Sequence, residues 1–198
     1  PGAVVLIAAG MAWLPAWAAR RGGYGGVVRG VVLALAVTVA WAHVTASVAR
    51  YGQKTVRVGR GADAFLAGER GRSVEACLAA IEERVGEDET LVVLPEGVTL
   101  NYLARRDNPT PFINFMPPEV LLFGEDVMVA AFRERPPDAV ALVHKSTLEY
   151  GLDYFGRGYA RDLMAWVRRH YEVVWGVGAT PLQGPEFGIQ LLRRRTDP

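Results

Sequence analysis

Glu96, Asn101, His144 and Glu149 are the residues whose types and positions could do chemistry together, joined by Lys145, Ser146, Thr147, Tyr150, Tyr154 and Arg157. Glu96 and Gly97 follow the apolar run TLVVL (90–94) and Pro95, and His144 closes the apolar run AVALVH (139–144). Glu149 opens a Gly- and Tyr-rich loop over 149–159. In an open α/β sheet, ligands bind beyond the carboxyl ends of the strands, so the three groups should converge there. A carboxylate, an imidazole and cations can bind a polar ligand or move a proton. The plain structural reading stands beside this one, because the strands of any α/β domain stop in water and collect polar residues. Arg105 and Arg106 form a second candidate, since paired guanidiniums suit phosphate oxygens. They could equally supply favourable cations to a helix C-terminus before the Asn108-Pro109 turn.

Several other chemistries lack a part. A glutamate after a strand suits nitrilase-type catalysis, but that needs a nucleophilic cysteine. The one cysteine, Cys77, falls on the apolar face of an expected helix. A single cysteine also excludes an intramolecular disulfide and a cysteine-cluster metal site. His43, His144 and His170 show no metal-ligand spacing. There is no G-x-x-x-x-G-K-[ST] loop, no dinucleotide fingerprint and no G-x-S-x-G elbow, so the pattern calls for no cofactor. A formal net charge of +1 carries no nucleic-acid signature.

The elements that must position these residues divide unevenly. The 198 residues are 51% hydrophobic, which excludes intrinsic disorder. The first fifty carry Arg20, Arg21, Arg29 and Arg50 and no acid, while all 21 acids follow. One uniform globular domain is therefore excluded. Residues 2–19 and 30–48 are each close to the ~20 apolar residues that cross a bilayer. They predict a two-helix transmembrane hairpin over 1–50, closed by the Gly-rich connector 20–29. Trp13, Trp17 and Trp41 suit the interface, and Pro15 is tolerated in a membrane helix. His43, in the second span, is a functional hypothesis by default, although a neutral histidine beside Thr45 and Ser47 also serves as a hydrogen-bonding group. The arginines of the connector place it in the cytoplasm and residues 51–198 outside, with Arg50, Lys54, Arg57 and Arg60 weighing against. The chain begins at Pro1, which reads as processing or as part of a longer protein.

Residues 51–72 read as a linker with a short strand at 55–58, and 73–198 as an α/β domain. Helices are expected over about 74–85 (capped by Ser73), 98–105, 118–134 and 159–170, with strands over 90–94, 139–144, 172–177 and 188–194. Four prolines keep 105–119 a loop, whose Phe112, Ile113, Phe115 and Met116 could meet a membrane or fold under it. Continuous apolar strands alternating with helices predict a small Rossmann-like, three-layer domain with a mostly parallel sheet and an antiparallel final strand.

Four blocks, TLVVLPEGVTLNYLARRDNPTPF (90–112), PPEVLLFGED (117–126), PPDAVALVH (136–144) and EYGLDYFGRGYARDLMAWVRRHY (149–171), carry a resemblance. They resemble the C-terminal extracytoplasmic domain of bacterial polytopic glycosyltransferases of the GT-C superfamily, family-39-like proteins related to protein mannosyltransferases and aminoarabinose transferases. The resemblance implies sugar transfer from a polyprenyl-phosphate donor to an extracytoplasmic acceptor at the cytoplasmic membrane. It implies upstream transmembrane helices and membrane lipid as partners. Its catalytic acids lie in a loop after a first span, and no acid precedes Asp63 here, so no catalytic residue is assigned. Glu96, Asn101, Arg105, Arg106, His144 and Glu149 are the residues expected to face the substrate. A non-enzymatic, membrane-anchored binding or assembly module is the rival reading, and a stand-alone hydrolase using Glu96, His144 and Glu149 is the third.

Overall fold

The structure is a computed structural model. It describes the backbone of residues 2–22 and 24–196, and the side chains of 10, 11, 13–20, 22 and 24–196. The chain forms two compact units, residues 1–54 and 55–198.

The first unit is a pair of packed helices, α1 (Gly2–Gly22) and α2 (Gly25–Gly52). Among the described residues, α2 is the one helix long and apolar enough to cross a membrane. Of the two spans expected this is the one supplied, since much of the first half of α1 lies outside the described side chains. None of the α2 side chains is buried. Its polar side chains turn back on the helix itself: Thr38 Oγ1 donates to the Ala34 carbonyl at 2.9 Å and Thr45 Oγ1 to that of Trp41 at 3.0 Å. His43 lies exposed on the same helix.

The second unit begins with a hairpin of β1 (Val56–Val58), where a short strand was expected within a linker, and β2 (Phe65–Ala67), which was not expected. It packs on α3 (Arg70–Arg84), which starts about four residues earlier than the Ser73 cap implied. The reason is Gly71. A Cβ there would lie 2.9–3.1 Å from the side chains of Ala67, Val58 and Val56, so the glycine lets the first turn close on the hairpin. In sequence it reads as loop punctuation.

Next come β3 (Leu91–Leu94), α4 (Val98–Ala104), α5 (Pro117–Phe123), α6 (Glu125–Glu134), β4 (Ala139–Val143), α7 (Arg161–His170), β5 (Tyr171–Gly178) and β6 (Gly188–Arg194). The helix expected over 118–134 is two helices. Gly124, at φ 88°, takes a conformation closed to most residues and breaks it there.

The main sheet runs β3-β4-β6-β5 and is mixed rather than mostly parallel. β3 and β4 are parallel, while β6 is antiparallel to both β4 and β5. The cause is the short connection between β5 and β6, which can only return the chain antiparallel and inserts β6 beside β4. The final strand is antiparallel, as expected.

Alternation along the strands gives each face its own core. Val92, Leu94, Val140, Leu142 and Leu192 pack with Phe115, Met128 and Phe132 and with Leu163, Trp166 and Val167 of α7. Leu91, Val93, Ala139, Ala141, Ile189 and Leu191 pack against Cys77, Ala80 and Ile81 of α3 and Leu100 of α4. The result is three layers. Burial pushes the Cys77 thiol up to about 12, so it behaves as a small apolar group.

Polar clamps fix the amino-terminal edge of the sheet. Thr90 N and Oγ1 both donate to Asp138 Oδ2, at 3.0 and 2.8 Å, and the Asp138 amide donates to Thr90 Oγ1 at 3.0 Å. Glu89 takes both Arg193 guanidinium nitrogens at 2.6 Å. This fork holds the Glu89 carboxyl down at about 2, against an ordinary 4.5. A lowered carboxylate pKa stabilises the fold above pH 4.5, and that contribution fades as pH falls towards 2. The pair is partly exposed, so solvent screening limits it to about 1 kcal/mol. Glu89→Gln should lower the thermal midpoint of the detergent-solubilised chain at neutral pH, with the gap to wild type narrowing as the pH is taken from 4.5 towards 2. A gap that stays constant across that window contradicts the assignment.

Candidate functional site

Because β3 and β4 are parallel, both deliver their carboxyl ends to one edge of the sheet. β3 leads into a cis Leu94–Pro95 bond, Glu96 and Gly97. Gly97 starts α4, and a Cβ on it would sit 2.6 Å from Val93 Cγ1, so this turn admits only glycine. β4 leads into His144, Lys145 and Ser146, then a short turn at Leu148–Tyr150 carrying Glu149.

These two connections meet at Lys145. Its Nζ lies 3.1 Å from Glu96 Oε2 and 3.8 Å from Glu149 Oε1. The Glu96 carboxylate holds the ammonium above the usual lysine range, with Glu149 adding to the effect. The three side chains are partly exposed, so they remain open to a ligand. Beside them opens a cleft of about 320 Å³ lined by Arg70, His144, Lys145, Ser146, Glu149 and Pro185. Arg70 is the first residue of α3 and stacks its guanidinium over the Phe187 ring at 4.9 Å.

His144 forms the buried wall of this cleft. Its ring lies between Tyr154 and Phe187, at centroid distances of 5.4 and 6.4 Å. Nδ1 is 3.3 Å from the Leu182 amide. A backbone N–H only donates, so Nδ1 accepts and the proton sits on Nε2. Burial lowers the imidazole pKa, and the nearby Arg70 lowers it further. Among the described residues no hydrogen bond joins Ser146 Oγ to His144.

Residues outside the expected set complete the neighbourhood. Tyr159 Oη has a weak partner in Met116 Sδ at 3.8 Å. Burial pushes this phenol well above its usual range, and the charges of Glu119 and Glu96 add to the shift. Asn114 Nδ2 donates to Glu119 Oε1 at 3.1 Å, while Asn114 Oδ1 and Glu119 Oε2 are left without partners. In sequence Asn114, Met116 and Glu119 sit in the proline-rich loop and Tyr159 ends the Gly- and Tyr-rich loop, with no period or spacing to single them out.

The remaining expected residues lie elsewhere. Asn101 is buried, and its Nδ2 donates to the Leu91 and Arg106 carbonyls at 2.6 and 3.1 Å, which ties α4 to the start of β3. Arg106 is buried too, with Nη2 on the Val85 carbonyl at 2.8 Å and Nη1 on that of Ala104 at 2.8 Å. Arg105 adopts a left-handed conformation, pairs with Asp63 and covers the Tyr102 ring. Arg105 and Arg106 line a separate hollow of about 860 Å³ with Arg60, Asp63, Glu75 and Glu82. Two of its acids are engaged beside Asp63: Glu82 takes both guanidinium nitrogens of Arg60, at 3.0 and 2.8 Å, and Glu75 takes the Gly59 amide, and Glu87 and Asp88 also line it. The structure thus brings together Glu96, His144 and Glu149, and gives Asn101, Arg105 and Arg106 to holding the fold. Among the described residues no cluster of three or more His, Cys, Asp or Glu could hold a metal ion. No protein-family profile, curated protein or solved structure matches the chain.

A histidine whose folded-state pKa is lowered contributes stability above 6.5, and that contribution is lost as pH falls through the lowered value. Nitrogen NMR of the histidine-labelled chain should show His144 neutral at pH 7, protonated on Nε2, with a midpoint below 6.5. A midpoint at or above 6.5 would contradict the buried-acceptor geometry.

Proposed function

We propose that this chain is the membrane-anchored C-terminal part of a GT-C-type glycosyltransferase, and that the cleft at the carboxyl edge of the sheet receives the sugar acceptor outside the cytoplasmic membrane. One observation carries the reading. The four segments that resemble the glycosyltransferase tail are scattered over about eighty residues, yet each supplies a group to this one edge. The first gives Glu96, the second Glu119, the third His144, and the fourth Glu149 and Tyr159. The apolar α2 supports the anchor. In this reading the parallel β3–β4 crossover is the Rossmann-like element of the domain.

The chemistry of the edge suits a polyhydroxylated ligand. Carboxylates accept from hydroxyls, an ammonium donates to them, and a charged partner roughly doubles the strength of each hydrogen bond. Glu96 and Glu149 accept, while Lys145 and Arg70 donate. Neutral His144 and the aromatic rings beside it supply a flat, half-apolar wall. A carboxylate outside this chain would take the proton of the acceptor hydroxyl, whose oxygen bonds to the anomeric carbon as polyprenyl phosphate leaves. The domain's part is to bind and orient, which acts on acceptor affinity more than on the chemical step.

The rival reading, a non-enzymatic binding module, draws on the self-contained cores of residues 55–198. Kinetics separates the two. In membrane vesicles of the full-length protein, Glu96→Gln, Lys145→Met and Glu149→Gln should each raise the acceptor KM about ten-fold, the loss of one charge-assisted hydrogen bond, with kcat little changed. Wild-type KM in all three variants, or no sugar transfer by the full-length protein, would overturn the proposal.

A further inference from the structure

Two donors at the cleft are left unanswered by the protein. Arg70 is exposed, and among the described residues no carboxylate or carbonyl takes a hydrogen bond from its guanidinium, which rests on the Phe187 ring instead. An exposed arginine served by water is ordinary. A buried histidine with a spare donor is not, because buried polar groups normally have partners. His144 is 7% exposed, and its Nδ1 is filled by the Leu182 amide. Its Nε2–H finds no acceptor among the described residues and is open to the cleft that the ring lines. The two donors flank one ring: Arg70 lies over the face of Phe187, His144 meets it edge-on at 6.4 Å, and the Arg70 charge acts on the imidazole. The fold holds Arg70 in place, since the next residue, Gly71, closes the first turn of α3 on the β1–β2 hairpin. Ser146 Oγ accepts one long bond, 3.5 Å from the Leu148 amide, so its proton is available too. All these residues belong to the second unit.

We infer that Arg70 and His144 form a carboxylate subsite, and that the ligand of this edge is a sugar acid, a polyhydroxylated ring bearing one carboxylate. The inference deepens the acceptor reading above and rests on it. The planar Arg70 fork matches the two carboxylate oxygens, and His144 Nε2–H adds a neutral donor of fixed tautomer. Lys145 lies between Glu96 and Glu149 and serves as their counter-ion, so this trio is left to the ring hydroxyls. A doubly charged group fits less well, because Glu149 lines the same cleft and repels it. The cleft, about 320 Å³, lies at the small end of the usual range for ligand pockets, about 300–1,000 Å³, and suits a single ring.

Nitrogen NMR of the histidine-labelled, detergent-solubilised chain reads the subsite directly at His144 Nε2. The probes are D-glucuronate, its neutral counterpart D-glucose, and D-glucose 6-phosphate. Glucuronate should shift the resonance saturably, with an affinity at least about ten-fold above that of either other sugar. Arg70→Gln should weaken glucuronate about ten-fold, and Arg70→Lys, which keeps the charge and loses the fork, should restore only part of this. An unchanged His170 resonance in each variant reports an intact fold. Equal affinity for glucuronate and glucose overturns the carboxylate subsite and leaves the acceptor site standing. Tighter binding of glucose 6-phosphate overturns it in favour of a phosphate ester. Glucuronate binding at wild-type affinity in both variants removes Arg70 from the site and overturns it as well. No shift with any of the three sugars overturns the subsite and the acceptor reading together.

Discussion

The parallel pairing of β3 with β4 is the constraint on which the site depends. Parallel neighbours send their carboxyl ends the same way, so Glu96 and the His144–Glu149 segment emerge side by side although about fifty residues separate them. The pairing cannot come from a short turn, and the chain between is long enough to cover one face of the sheet with α6. Its register is set at the opposite edge, where Thr90 and Asp138 exchange hydrogen bonds and Glu89 reaches across to Arg193. One end of the sheet is thus locked by polar clamps, and the other is left open, with partly exposed charges.

That division also explains why similar residues take different roles. Asn101 and Arg106 direct their donors at backbone carbonyls and are buried, so their hydrogen-bonding capacity serves the fold. Lys145, Glu96 and Glu149 satisfy one another only in part and face water, so they keep capacity for a ligand. His144 stands between these cases: its ring is buried, its Nδ1 is committed to the Leu182 amide, and its charge is disfavoured. It serves as a wall and an anchor for the loop more than as a titrating group.

Much of the fold was legible in the sequence, for identifiable reasons. β3 and β4 announce themselves as uninterrupted apolar runs, and α7 as an amphipathic pattern whose Leu163, Met164, Trp166 and Val167 all face the core. The sheet order was not legible, because β6 reads the same whether it lies at an edge or between β4 and β5. Gly71 and Gly124 look alike on paper, yet one marks a close approach inside a helix and the other ends one. Half of the expected site residues gather at the cleft because strand ends can be located from apolar runs. Asn101, Arg105 and Arg106 do not, because the short helix α4 carries the chain back towards the start of β3, a direction that residue types cannot reveal. Asn114 and Glu119 were hidden by one loop without period and Tyr159 by another.

The central claim is that the carboxyl edge of the sheet is the ligand-facing side of this domain. Hydrogen–deuterium exchange of the protein in nanodiscs, with and without the proposed sugar acceptor, tests it most directly. The account predicts slowed exchange in two separate segments, 95–98 and 144–151, with the hollow around Arg60, Glu82 and Arg105 unaffected. Protection confined to that hollow, or none in either segment at saturating ligand, would contradict it.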